Sequence, residues 1–342
     1  MKRVVVIGGG FAGSFVAKKL QNKFKVTLID SKDYFEFTPG ILRAIVHPEH
    51  LTKIQILHKD YLGKVKLVKG NVSEIDRNHL FVKGEKVIFD YLIICSGSKY
   101  ANPIKASNLI LASRSDMLIK SAERVRRAKN ILIIGGGLVG VELAGELCTF
   151  YPDKKITLIH SGDKLIERNH GRAINYADNF LRKRDVEIIF NDRIVEFGKK
   201  FKSLSGRVFS SDFTFLCTGI SPNFEFMRKN FSHLINKNNF IKVNEFLQLE
   251  GFENIFVAGD ITDRVEEKTA QNAVRQGKIV VRNILRYDSD KNLLRYKFKK
   301  TPLVISLGKY NGIFSLGSFV LTGIIPAFMK WGIEKFEMLQ RR

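Results

Sequence analysis

Twice in this chain the pattern Gly-x-Gly-x-x-Gly stands between a β-branched run and a helix-like stretch, and few sequence features restrict a fold so tightly. The first copy, RVVVIGGGFAGSFVAKKL, reads as a short strand, then Gly8, Gly10 and Gly13, then a helix. The strand FKVTLID follows and ends at Asp30, 22 residues after Gly8. This is a βαβ unit. Its glycines have separate tasks: a tight turn, backbone approach to a pyrophosphate at the helix N-terminus, and close packing of helix on strand. Asp30 is placed to accept hydrogen bonds from a ribose diol. A lone glycine motif is weak evidence, but the strand before, the helix after and the acid at this distance make it strong.

The second copy, NILIIGGGLVGVELAGELC, carries Gly135, Gly137 and Gly140, and its following strand KKITLIH ends at His160. Two such sites in one chain point to one dinucleotide held tightly and one that exchanges. Flavin with nicotinamide is the usual redox pair. Three further segments, YLIICSGS, FTFLCTGISP and NIFVAGDIT, each end a strand in a glycine: Ser96-Gly97, Thr218-Gly219 and Gly259-Asp260. Ligands bind at such strand ends in open α/β sheets. The expected fold class is α/β with two Rossmann-like dinucleotide-binding domains.

A chain of 342 residues, 44% of them hydrophobic and seven of them proline, has ample core and no sign of disorder. The formal charge of +23 attracts anionic membranes, nucleic acid or anionic cofactors without choosing among them. Because KSAERVRRAKN, LRKRD and KFKK lie far apart, the charge reads as a solvated basic surface rather than a nucleic-acid site. Cys95, Cys148 and Cys217 are isolated in apolar runs, with no C-x-x-C. That disfavours a disulfide framework, a zinc site or a dithiol centre, and fits buried thiols in a reducing compartment. The opening MKRVVVIGGGFAG is expected to be a strand, not a signal peptide, since its apolar run stops after four residues at the glycines.

Together the two glycine units, CSGS, CTGI and VAGD resemble the two-dinucleotide-domain flavoproteins over nearly the whole chain. YFEFTPGILRAI, GGGLVGVELAGEL, TAQNAVRQGK and the apolar C-terminus are similar to type II NADH dehydrogenases and to ferroptosis-suppressor-type quinone reductases of the apoptosis-inducing-factor family. YPDKKITLIHS and VNEFLQLEGFENIFVAGD point to the latter branch. The resemblance implies FAD in the first domain, NAD(P)H in the second, and a quinone as acceptor of two electrons without proton pumping. It implies an NAD(P)H domain at 109–238 inserted into an FAD domain at 1–108 and 239–300, with 301–342 forming a C-terminal membrane and quinone region. FAD would be held by Gly8, Gly10, Gly13 and Asp30, with Arg43 near the pyrophosphate and Asp260 on the ribityl chain.

Ala270 and Gln271 of TAQNAVRQGK would open a helix beneath the flavin ring, where a small residue permits close approach. The helix N-terminus favours negative charge on the reduced ring. The resemblance adds that Gln271 donates to a quinone oxygen and that Glu142 of GVE reaches toward the nicotinamide and flavin. Without the resemblance, Glu142 is an acid that complements a helix dipole. In the second unit the ribose position is His160-Ser161 with Lys164 nearby and no acid, so NADH and NADPH are both expected to serve.

Three alternatives stay open. A sulfide:quinone oxidoreductase needs cysteines at the flavin; a reductase of small electron-carrier proteins needs no apolar tail. A DNA-binding flavoprotein would use clusters such as RYKFKK. The tail LTGIIPAFMKWGIEKFEMLQRR reads as an amphipathic helix with Pro326 in its first turn. Phe328, Met329, Ile333, Phe336 and Leu339 share one face; Lys330, Glu334, Glu337 and Arg341 share the other. Its apolar stretch is too short to span a bilayer, and Trp331 beside Lys335 suits an interfacial anchor. Peripheral docking on an anionic, cytoplasmic-side membrane surface is expected, with Lys2 after Met1 precluding myristoylation. Packing on the chain's own core, or a homodimer contact, is the competing reading. If the tail only docks, its removal leaves turnover of a water-soluble quinone nearly intact.

Overall fold

The computed structural model of the chain describes residues 1–105 and 110–341. The expected domain junction at 108 and 109 lies outside the described residues. Along the chain run strands β1 (Arg3–Ile7), β2 (Lys25–Asp30), β3 (Lys66–Lys69) and β4 (Tyr91–Ile94), then β5 (Asn130–Ile134), β6 (Lys155–Ile159), β7 (Val186–Ile189) and β8 (Phe213–Leu216), then β9 (Ile255–Val257). Sheet order separates them into two parallel sheets, β9-β4-β1-β2-β3 and β7-β6-β5-β8. Strand β9 pairs with β4 although the whole second sheet intervenes in sequence, so the second unit is inserted into the first.

The runs VVVI, YLII and ILII are apolar at consecutive positions because both faces of these strands are covered. Val4, Val6, Leu92, Ile93 and Ile133 are fully buried. Helix α1 (Phe11–Leu20) covers the first sheet and packs on α4 (Ala270–Tyr287); α3 (Leu138–Phe150) covers the second. Between α1 and α3 lies the short α2 (Ile41–Val46). The chain crosses between the units twice, and the two crossings pair with each other: Ser98–Lys99 runs antiparallel to Ser221–Pro222.

Residues 303–323 form an antiparallel meander of β10 (Leu303–Ser306), β11 (Gly312–Leu316) and β12 (Phe319–Gly323), followed by helix α5 (Ile324–Leu339). Gly323, at φ +97°, makes the turn into α5. Helix α5 lies with its polar side inward. Pro326, Glu334, Met338 and Arg341 are buried, whereas Ile324, Ile325, Phe328, Trp331, Phe336 and Leu339 are exposed, Phe328 and Phe336 at about 60%. Of the expected apolar stripe, only Met329 and Ile333 are half-buried. The competing reading, packing on the chain's own core, holds in part: Met338 joins the core and Ile333 packs against it, while most of the apolar stripe faces outward.

Candidate active site

Both glycine turns have the same anatomy. A Cβ on Gly8 would lie 2.3 Å from the Cys95 carbonyl oxygen, and one on Gly135 would lie 2.4 Å from that of Cys217. Cβ atoms on Gly13 and Gly140 would meet the carbonyl oxygens of Gly8 and Gly135 at 1.8 and 1.9 Å. The middle glycines differ: at Gly10 and Gly137 a Cβ would meet nothing within 4 Å. The outer glycines are therefore required by the protein's own packing, and the middle ones leave open space at a helix N-terminus. That is the shape a pyrophosphate needs.

In the first turn, Asp30 Oδ2 accepts from the Gly9 backbone N–H at 2.7 Å and faces His58 Nε2 at 3.3 Å. Burial opposes ionisation of Asp30, but the His58 contact and the nearby Lys32 outweigh it and hold the carboxyl below its ordinary range. A cavity of about 260 Å³ opens beside it, walled by Leu28, Leu57, His58 and Leu67. His58 carries no sequence signal linking it to the glycine motif; the fold brings it there and Tyr61 orients it, with Nδ1 2.7 Å from the phenol oxygen. Ser96 and Gly97 are clasped by the returning crossover, since Ser96 Oγ donates to the Asn223 carbonyl at 2.7 Å and the Asn223 amide donates back at 2.8 Å. Asp260 accepts from Ser98 Oγ at 2.8 Å. Gly259, at φ +89°, donates its N–H to the buried Gln276 of α4 at 2.7 Å. Gly8, Gly97 and Gly259 thus follow the adjacent ends of β1, β4 and β9. Helix α4 opens at Ala270, with Thr269 capping the Asn272 N–H.

The second turn departs from the sequence reading at one point. His160 lies against Gly136, and its Nε2 is 3.2 Å from the Glu167 carboxylate. An acid therefore stands beside His160, delivered by a loop rather than by the strand end. Thr218 and Gly219, at φ +105°, form the exposed mouth at the end of β8.

Between the two turns, α3 presents two carboxylates one helical turn apart. Glu142 Oε1 accepts from the Ser306 N–H at 2.8 Å and from Lys330 Nζ of α5 at 2.9 Å. Glu146 Oε1 accepts from Arg43 at 2.9 Å and from Ser306 Oγ at 3.0 Å. The resemblance places Arg43 beside a pyrophosphate; the structure commits its guanidinium to Glu146, Ser306 and the Gly308 carbonyl. Glu146 was within reach of sequence reasoning, being four residues from Glu142 and hence on the same helix face. The inward bonds of α5 continue with Glu334 to His50 at 3.0 Å, and just past the helix Arg341 reaches Ser14 of α1 at 3.4 Å. Tyr100 lies near the junction: burial, with Asp260, Cys217 and Glu142 close by, pushes its phenol up to about 12 and keeps it protonated.

Residues 2–277 match the family described as pyridine nucleotide-disulphide oxidoreductase. The chain belongs to this family. It is an oxidoreductase that uses FAD and NAD(P)H, and the two glycine turns fit those dinucleotides. Apoptosis-inducing factor homolog A of Dictyostelium discoideum is 37% identical over 349 residues, covering 93% of this chain and 85% of that protein. Ferroptosis suppressor protein 1 of Mus musculus is 29% identical, covering 96% and 92%. Among solved structures, sulfide:quinone oxidoreductase from Aquifex aeolicus superposes with a TM-score of 0.85 at 19% identity, covering 100% of this chain and 92% of that one. NDH2 from Plasmodium falciparum in complex with NADH gives 0.81 at 13%, covering 99% and 97%. These last two likenesses establish shared architecture.

Proposed function

We propose that this oxidoreductase passes electrons from NAD(P)H through FAD to a membrane quinone, from a peripheral position on an anionic lipid surface and without pumping protons. The observation that carries this reading is helix α5: apolar side chains point outward while its inner face bonds to Glu142. Among the described residues no helix is long and apolar enough to cross a membrane. An outward apolar face of this kind suits the interface plane, where amphipathic helices lie, and Trp331 stacked on Lys335 at 5.1 Å suits its edge. The likeness to a sulfide:quinone oxidoreductase supports a quinone acceptor, but sulfur chemistry is a poor fit. All three thiols are buried, and burial pushes Cys95 and Cys217 up to about 12 and Cys148 up to about 11.

Bound FAD supplies hydride acceptance and two-electron donation. The chain supplies position and electrostatics. Residues of the two glycine turns hold the pyrophosphates, and Asp260 the ribityl side. The N-terminus of α4, with Ala270 and Gln271 in its first turn, offers N–H groups and about half a positive charge to an electron-rich ring. Gln271 is the donor to a quinone oxygen. Glu142, buried beside Lys330, stands at the junction of the two units, where a quinone that gains two electrons also needs two protons.

Anaerobic stopped-flow on the holoenzyme tests the class. NADH should bleach the flavin, and a quinone should restore it far faster than oxygen or a carrier protein. Gln271→Leu should raise the quinone KM and leave flavin reduction unchanged. Rapid reoxidation by a carrier protein, with quinone inert, would overturn the reading.

A further inference from the structure

At the strand ends Lys105 stands, among the described residues, without a paired carboxylate. Lys105 follows the crossover strand, and its Nζ stands 3.4 Å from Ser98 Oγ and 3.9 Å from where a Cβ on Gly97 would sit. Ser98 bridges onward to Asp260. The residue is half-buried, and burial lowers its proton affinity, opposed in part by Asp260. Through Ser98 its Nζ therefore reaches the Asp260 end of the first cradle.

Its neighbours are otherwise engaged. Glu36 holds the fully buried Arg114 through two bonds of 2.9 and 3.1 Å. Asp30 takes the Gly9 N–H and the His58 contact. Lys32 Nζ lies over the Tyr34 ring at 5.2 Å. Among the described residues no carboxylate comes within 4.0 Å of Lys105 Nζ. A desolvated ammonium without a counter-charge is costly unless a ligand supplies one. The anionic stretch of FAD that runs between the adenosine ribose and the ribityl chain is its diphosphate. Arg43 is engaged with Glu146.

We propose that Lys105 is the counter-cation of the FAD diphosphate. As a compact point charge on a flexible stem, lysine suits this task without needing bidentate geometry. The inference rests on FAD as cofactor and not on the identity of the electron acceptor.

The test compares full-chain holoenzyme with Lys105→Met and Lys105→Arg. FAD affinity is read from free-flavin fluorescence on dilution, and ADP, which carries the diphosphate without the ring, is titrated as competitor. The charge-neutral variant should bind both FAD and ADP about tenfold to a hundredfold more weakly, as loss of a charge-assisted bond implies. Lys105→Arg should retain most of the affinity, and the flavin midpoint potential of the remaining holoenzyme should not move. Wild-type FAD affinity in Lys105→Met would overturn the proposal. So would weaker FAD binding with unchanged ADP binding, or a lowered potential at unchanged affinity, since either places the cation at the ring. Circular-dichroism melts of both variants separate these outcomes from misfolding, which the arginine variant would not share.

Discussion

At the scale of single residues, the two cradles repeat one backbone plan and differ at the end of the second strand. The first has Asp30 at the strand end, fixed by Gly9 and His58; the second has His160 there, with Glu167 swung over from a following loop. The strand-end acid was legible because its spacing from the glycines is fixed by the βαβ unit. Glu167 was not, because a loop can deliver a side chain from any sequence distance, and only the fold shows where it lands. The contact makes a prediction about cofactor choice. A 2'-phosphate brought to His160 would meet the Glu167 carboxylate, whereas without it the phosphate would find His160 and Lys164. Glu167→Gln should therefore improve kcat/KM for NADPH relative to NADH by about threefold to tenfold, or about 1 kcal/mol. Steady-state kinetics with both nucleotides check this, and an unchanged ratio would place Glu167 away from the bound ribose.

Among the elements, α5 shows where sequence patterning stops. Its periodicity identified two faces, and both faces are present. Which one meets the protein could not be read, because the usual rule places the apolar face inward and this helix reverses it. Long-range partners decide the matter: Glu142, His50 and Ser14 lie far away in sequence and together draw Lys330, Glu334 and Arg341 inward. The parallel strands were legible for the opposite reason, since burial on both faces leaves an uninterrupted apolar run. The small antiparallel sheets at 72–88 and 194–209 gave no such run, having short and partly exposed strands. Because the outward face makes none of the inward bonds, it can be tested separately. A triple variant, Phe328→Ser, Trp331→Ser and Phe336→Ser, removes side chains worth about 1.5–3 kcal/mol each when fully buried. It should no longer sediment with anionic liposomes and should lose turnover of long-tailed quinones. Its FAD content, melting temperature and reduction of a water-soluble quinone should match the wild type. Undiminished liposome binding would remove the membrane role from α5.

On the scale of the whole molecule, the C-terminal segment is a clasp between the two dinucleotide units as well as a surface. Ser306 and Lys330 converge on Glu142 of the inserted unit. Glu334 and Arg341 reach His50 and Ser14 of the first unit, and Arg341 also packs its guanidinium 3.9 Å over the Phe35 ring. Ser14 lies in α1, the helix whose N-terminus forms the first glycine turn, so the last turn of the chain braces the FAD cradle from behind. Lifting α5 away would expose this apolar and aromatic contact and leave Glu142 without Lys330 and His50 without Glu334. Removing one member of a buried ion pair costs on the order of 3–5 kcal/mol, less where water reaches it, within a total stability of about 5–15 kcal/mol. The sequence-based expectation that truncation spares soluble activity is therefore revised. Deleting residues 322–342 should lower the melting temperature and the flavin-to-protein absorbance ratio, and with them the turnover of water-soluble quinone, unlike the triple surface variant. Added FAD should restore part of the lost stability, because a ligand that binds the folded state stabilises it by mass action. A truncated protein with full flavin content and a wild-type melt would show that the inward bonds of α5 contribute nothing to holding the two units together, and would reduce the segment to a membrane contact alone.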